Sequence, residues 1–131
     1  MKKPKIKTLK NKIILTLPPS VNQIYRYTSR GVYKTRSGKA WIDEAAWKIK
    51  ADCEPVIRAR VGLDAYFPNL RRRDLDNLLK CAMDALVRSG AIEDDNWTVL
   101  EYSHIQGHLD RENPRLEIIV EELGAREGLF K

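Results

Sequence analysis

The sequence predicts an α+β (mixed α/β) fold: a single small domain with a mixed β-sheet and two main helices. Three observations predict it. Two segments carry apolar residues at a helical period, four short runs are β-rich or alternating, and the two kinds of element interleave along the chain. At 131 residues the length suits one domain. With 43% hydrophobic and 32% charged residues the composition is that of an ordinary globular protein.

The elements follow in order. Residues 1–11 form a lysine-rich tail; the first twelve residues hold six lysines and no acid. Residues 12–17 (KIILTL) are a short strand, ended by Pro18-Pro19, since consecutive prolines cannot continue a central strand. Residues 28–38 are polar and glycine-punctuated, a loop or a short hairpin around Val32 and Tyr33. From Lys39 the period becomes 3.6. Trp41, Ala45, Ile49 and Cys53 share one stripe, with Ile42 and Ala46 beside it, and this first helix stops near Pro55. Val61, Leu63, Ala65 and Phe67 alternate as a strand, closed by Pro68-Asn69. Leu75, Leu78, Leu79, Ala82, Met83 and Leu86 then mark the second helix, residues 76–89, stopped by Gly90. "IEDDN" is a turn, residues 97–106 and 115–122 are two more strands, and residues 124–131 are a C-terminal tail. The folded domain is therefore expected over residues 12–123.

Composition excludes several classes. No apolar run approaches the roughly 18 residues needed to span a membrane, and the basic start has no apolar segment behind it, so it is no secretory leader. Cys53 and Cys81 sit among apolar residues in the two helices without CxxC spacing, which reads as two reduced core cysteines of a cytoplasmic protein with no membrane partner. The net charge is +6, but its placement says more. Beyond residue 12 the chain is neutral and divided: residues 13–73 carry 12 basic and 5 acidic side chains, residues 74–131 carry 6 and 13. A basic front suits a phosphate backbone, and an acidic cluster suits a hard cation such as Mg²⁺.

The crossover falls inside "RRRDLDNLLK", residues 71–80. Asp76 is placed at the N-cap of the second helix or in its first turn, where carboxylates meet unpaired N–H groups. That accounts for one aspartate, less well for Asp74, and not for Asp94-Asp95. The helix is about 20 Å long at its usual rise, so those acids begin far from Asp76. The strand starting near Trp97 brings them back only if the topology allows. A gathering of three or four carboxylates is tolerated when a divalent cation occupies it, the arrangement used for phosphodiester chemistry. Lys80, one turn after Asp76, touches a scissile phosphate or positions the nucleophile in that reading; otherwise it makes an exposed salt bridge to Asp76 or Asp84.

At these residues the sequence resembles the RusA family of small homodimeric Holliday junction resolvases of bacteria and their phages. "RRRDLDNLLKCAMDAL…GAIEDD" is similar to that family's core signature, and "LPPSVNQIYR", residues 17–26, to its N-terminal one. The resemblance runs over about residues 12–122 and implies a Mg²⁺-dependent endonuclease, with Mn²⁺ able to substitute, that cuts four-way DNA junctions by paired incisions. It assigns Asp74, Asp76 and Asp95 to metal binding and catalysis and Lys80 to catalysis. DNA contact falls to Arg71, Arg72, Arg73, Asn22 and Arg26. Asn77 and Asp84 fall on recurrent motif positions with no role attached. The strand after Asp95 is one residue longer than in relatives, Gln106 stands where some relatives have a lysine, and the basic start is longer than usual.

Arginine suits the phosphate role because its planar fork binds oxygens in a bidentate way and keeps its charge. Three other readings stand beside the resolvase: a metal nuclease acting on flaps or other branched DNA, a junction-binding module that does not cut, and a structural protein with a salt-bridged helix start. Trp41, Trp47 and Phe67 serve as core, dimer contacts or a wedge into opened base pairs, with Trp41 assigned to the core.

Overall fold

The computed structural model describes residues 10–124. The two expected tails fall almost wholly outside the described residues. The described residues form six strands, two α-helices and one short 3₁₀ turn: β1 (Lys10–Leu15), the turn Val21–Gln23, β2 (Tyr25–Thr28), β3 (Gly31–Lys34), α1 (Arg36–Asp52), β4 (Ala59–Phe67), α2 (Leu75–Ser89), β5 (Leu100–Leu109) and β6 (Arg115–Glu122). The expected mixed sheet and two main helices are there. The order is β1-β6-β4-β5, and the separate pair β2-β3 is the hairpin expected around Val32 and Tyr33.

β4 and β5 run parallel, whereas β6 is antiparallel to both β4 and β1. A parallel pair needs a crossover, and α2 supplies it. The chain leaves the sheet at the end of β4, enters α2, and returns to β5 at the end where β4 began, with Leu100 opposite Ala59.

One face of the sheet packs against both helices. Ile13 and Leu15 of β1, Val61, Leu63 and Ala65 of β4, and Leu116, Ile118 and Val120 of β6 meet Leu78, Ala82 and Leu86 of α2 and Ile42, Ala45 and Ile49 of α1 in one cluster. Cys53 and Cys81 are both free and buried. Burial pushes the Cys81 thiol up to about 12, so it packs as an apolar group. Trp41 is in the core as expected, its indole N–H donating to the Thr16 carbonyl at 3.0 Å. The other sheet face is mixed, with exposed Ile14 and Ile119 among charged and aromatic groups. Lys12 and Arg115 both pair with Glu117, at 2.9 and 2.7 Å. Arg115 lies over the Tyr66 ring, Tyr66 stacks on His108, and His108 meets Asp64 at 2.7 Å.

Several boundaries differ from the sequence reading by one to three residues, and three of them have a visible cause. β1 begins at Lys10, inside the expected tail, where it pairs with Glu121 of β6. α1 starts at Arg36, because Thr35 caps it by accepting from the Gly38 N–H at 3.1 Å. Gly38 has to be glycine here, since a Cβ would collide with the Ile24 carbonyl. β5 begins three residues after Trp97, because Asn96 builds a turn: its carbonyl accepts from Val99 and Leu100, its side chain from the Thr98 N–H. Trp97 is exposed on that turn. Among the described residues no helix is long and apolar enough to cross a membrane.

Candidate active site

The end of β4 feeds a seven-residue connection into α2, and the expected acids sit where that helix begins. Asp74 is the N-cap: its Oδ1 accepts from the Asp76 N–H at 2.9 Å and the Asn77 N–H at 3.4 Å. Asp76 takes the first-turn position. The helix start therefore accounts for both aspartates, the cap being Asp74 rather than Asp76. Capping uses one oxygen of Asp74. Its Oδ2 and both oxygens of Asp76 make no hydrogen bond or ion pair among the described residues, and both side chains are exposed. Two free carboxylate edges thus stand at the positive end of a 15-residue helix.

Asn22 fixes this corner from fifty residues away. Its Oδ1 accepts from the Asp74 N–H at 2.8 Å and its Nδ2 donates to the Arg72 carbonyl at 3.1 Å. The amide mimics a strand partner for the backbone on the way into the cap. Asn22, expected among the DNA-contacting groups, holds Asp74 in place.

Lys80 makes neither of its expected salt bridges. Its ammonium lies over the Tyr25 ring at 4.5 Å, a cation–π contact. Asp84 is occupied by the Tyr25 hydroxyl, which donates to it at 2.6 Å, and by Lys34 at 3.9 Å. Burial, then the bond to Asp84, pushes the Tyr25 phenol far above its ordinary pKa, so the phenol stays protonated. Asn77 accepts from the Tyr27 hydroxyl at 3.2 Å. The two motif residues without a role thus receive the β2-β3 hairpin. Lys80 is itself exposed, held beside Tyr25 one turn beyond Asp76.

The three arginines are not equivalent. Arg73 folds back on its own loop, donating to the Asn69 and Arg71 carbonyls at 3.2 and 3.3 Å with its guanidinium 4.8 Å above the Phe67 ring. Phe67 is thereby a platform for Arg73. Arg71 and Arg72 are exposed and form no ion pair among the described residues. All three line a cavity of about 670 Å³ with Pro18, Pro19 and Asn22. Arg26 is exposed on β2, and Gln106 lies on the sheet face away from the helices, opposite Asp64.

Asp95 is elsewhere. It sits in the turn between α2 and β5, its N–H donating to Asp94 Oδ1 at 2.7 Å. That turn is tied to the start of β4: Val56 donates to the Ala91 carbonyl and Ala59 to the Val99 carbonyl. Asp74 follows the end of β4, so the length of α2, about 22 Å for its 15 residues, separates the two ends. The return of Asp95 to Asp74 and Asp76, which the sequence left to the topology, does not occur within one chain because β5 runs parallel to β4. Among the described residues no three acidic, histidine or cysteine side chains gather at one point.

The comparisons with known proteins bear on this corner. The profile of the family described as "Endodeoxyribonuclease RusA" matches residues 16–121. The chain belongs to the RusA family. The "Crossover junction endodeoxyribonuclease RusA" of Escherichia coli K12 is 34% identical over 115 residues, covering 86% of this chain and 94% of the relative. The proteins of that name from Enterobacteria phage 82 and Shigella sonnei are each 33% identical over the same length.

RusA-family membership makes the chain a DNA-cutting enzyme and suggests a divalent metal requirement. The donors present fit such an ion. Asp74 Oδ2 and the Asp76 carboxylate are hard oxygen ligands with no other partner among the described residues, on one helix start. They are two ligands where the sequence expected three. The contributions that sequence reasoning missed, Asn22 as a clamp and Tyr25 as the seat of Lys80, left only faint signals: an asparagine after Pro-Pro-Ser, and the Asn77 and Asp84 pair recurring on one face of α2.

Proposed function

We propose that this RusA-family chain is a cytoplasmic, homodimeric, Mg²⁺-dependent endonuclease, with Mn²⁺ able to substitute. It resolves four-way DNA junctions by paired symmetric phosphodiester incisions in recombination and repair. The observation that carries this is the pair of carboxylates at the start of α2, with Asp74 Oδ2 and both Asp76 oxygens unpartnered among the described residues, beside a carboxylate-free arginine cavity. A cation site next to a phosphate site is what a metal-assisted phosphodiesterase needs and what a pure binding module does not.

Asp74 and Asp76 would hold the ion from one subunit, and Asp95 of a second copy would complete the set. When bound, the ion polarises a phosphoryl oxygen and lowers the pKa of a coordinated water. The chain's own groups do the rest. Asn22 keeps Asp74 oriented, Lys80 on Tyr25 touches the scissile phosphate, and Arg71 and Arg72 hold neighbouring phosphates while Arg73 stiffens their loop. A C2 dimer presents two such corners to a substrate with near two-fold symmetry. The lysines of the first twelve residues add affinity without specificity.

The test uses purified protein with a synthetic four-way junction, a flapped duplex and a linear duplex, each with Mg²⁺ and with EDTA. The expected result is Mg²⁺-dependent, symmetric cutting of the junction and little of the others. Preferred cutting of the flap would replace the substrate assignment, and binding without cutting at any metal concentration would refute the enzyme reading.

A further inference from the structure

The arginine cavity is one of three neighbours that share lining residues in series. The first, lined by Arg71, Arg72 and Arg73, ends at Asn22. A second, of about 680 Å³, begins at Asn22 and runs to Arg26 and Arg36. A third, of about 400 Å³, shares Arg26 and Arg36 and reaches Tyr33 and Lys34 on the hairpin. None of the three has a carboxylate in its lining. The two cavities beside Trp47 differ, since each contains an acid, Glu44 in one and Asp43 in the other. The sequence has the same bias: no Asp or Glu occurs from residue 1 to residue 42. Arg26, Arg30 and Arg36 are exposed and form no ion pair among the described residues.

The hairpin has two faces. Tyr25, Tyr27 and Lys34 project from one, and all three are tied to α2 through Asp84 and Asn77. Arg26 and Tyr33 face each other across the strands on the opposite side. Tyr33 is 52% exposed, which leaves a ring face open to a planar partner.

We propose that the track from Arg71 past Asn22 to the outer face of the β2-β3 hairpin is an extended strand-binding surface. It takes a single DNA strand splayed at the branch point, with phosphates on Arg26 and Arg36 and an unstacked base on Tyr33. Phosphates alone would need only the cations; an open tyrosine in a cationic groove is the combination that binds unpaired nucleotides. The inner-face bonds to Asn77 and Asp84 fix this surface to the helix that carries the acids, so the strand on the track is set in register with the cut. The inference rests on reading the chain as a junction-cutting enzyme.

The experiment measures binding in EDTA, with full-length protein and no cutting, to a four-way junction and to linear duplex across a salt series. Arg26→Gln/Arg36→Gln should weaken junction binding and make the slope of log K against log salt shallower by about 1.4 to 1.8, two phosphates' worth. Lys48→Gln/Lys50→Gln removes the same charge from α1 and should leave the slope unchanged. Tyr33→Ala should lower junction affinity about 5- to 150-fold, the range of one lost base stack, with duplex affinity unchanged; Tyr33→Phe should bind as wild type. Circular dichroism confirms that each variant is folded. Equal slope losses for the two double variants would reduce the track to net charge and overturn it. Equal losses on junction and duplex for Tyr33→Ala, or none on either, would overturn the base contact. Wild-type protein that binds the junction but fails to cut it with Mg²⁺ would refute the proposed function while leaving the track to these binding results. Wild-type protein that binds no DNA would overturn both.

Discussion

The two oxygens of Asp74 differ: Oδ1 caps α2, and Oδ2 has no partner among the described residues, which is the oxygen the proposed function gives to the ion. Substitution separates them. Asparagine is as good an N-cap as aspartate, so Asp74→Asn should keep the thermal midpoint close to wild type and keep junction binding while abolishing cleavage. Asp74→Ala should abolish cleavage and also cost about 1 kcal/mol of stability. Equal destabilisation by the two variants, or normal cutting by Asp74→Asn, would show that the carboxylate is structural only. The spacing of two aspartates before an apolar helix made this corner legible in sequence, because capping and metal binding both favour carboxylates at a helix start. What the sequence hid is long-range. Asn22 meets Asp74 across 52 positions, and Tyr25 meets Asp84 across 59, so neither pairing leaves a local period to read.

At the scale of elements, α2 was the most legible, since its apolar stripe, its start and its glycine stop all point the same way. Gly90 has φ 82°, which suits glycine. The start of β5 was the least legible. Trp97 looks like a strand residue, but Asn96 satisfies the next backbone N–H groups in a turn, and local side-chain bonding outweighs propensity there. The sheet face away from the helices was readable only as alternation; its pairings depend on register. Glu117 of β6 is held between Lys12 of β1 and Arg115. Lys12 first, then Arg115, keeps its carboxyl below the ordinary glutamate value of 4.5. A carboxyl lowered by folding contributes stability that is complete above the unfolded pKa and lost as pH falls through the folded one. Glu117→Gln should therefore lower the urea midpoint at pH 7 and lose less than wild type on acidification to about pH 3. An identical acid-induced drop in both proteins would remove Glu117 from the account of acid stability.

The whole molecule decides whether one chain is enough. A parallel β4-α2-β5 unit puts the start of α2 and the turn before β5 at opposite ends of the sheet. The third acid expected from sequence is thus out of reach of the first two, and no rotamer change closes a gap set by a helix of 15 residues. A second copy related by a two-fold axis can bring its own Asp95 to Asp74 and Asp76 and receive Asp95 in return, which makes two composite sites. Mixing tests this directly. Asp74→Asn protein and Asp95→Asn protein should each be inactive alone. Mixed and allowed to exchange subunits, they form heterodimers in which one site has lost both acids and the other has all of them. The mixture should recover Mg²⁺-dependent nicking of one junction strand, without the paired second cut, measured on a junction extruded from a supercoiled plasmid. If each site lay within one chain, every site in the mixture would lack an acid and no nicking would return. Recovered nicking that persists when the subunits are cross-linked as homodimers before mixing would also reject the shared site, because exchange would then play no part.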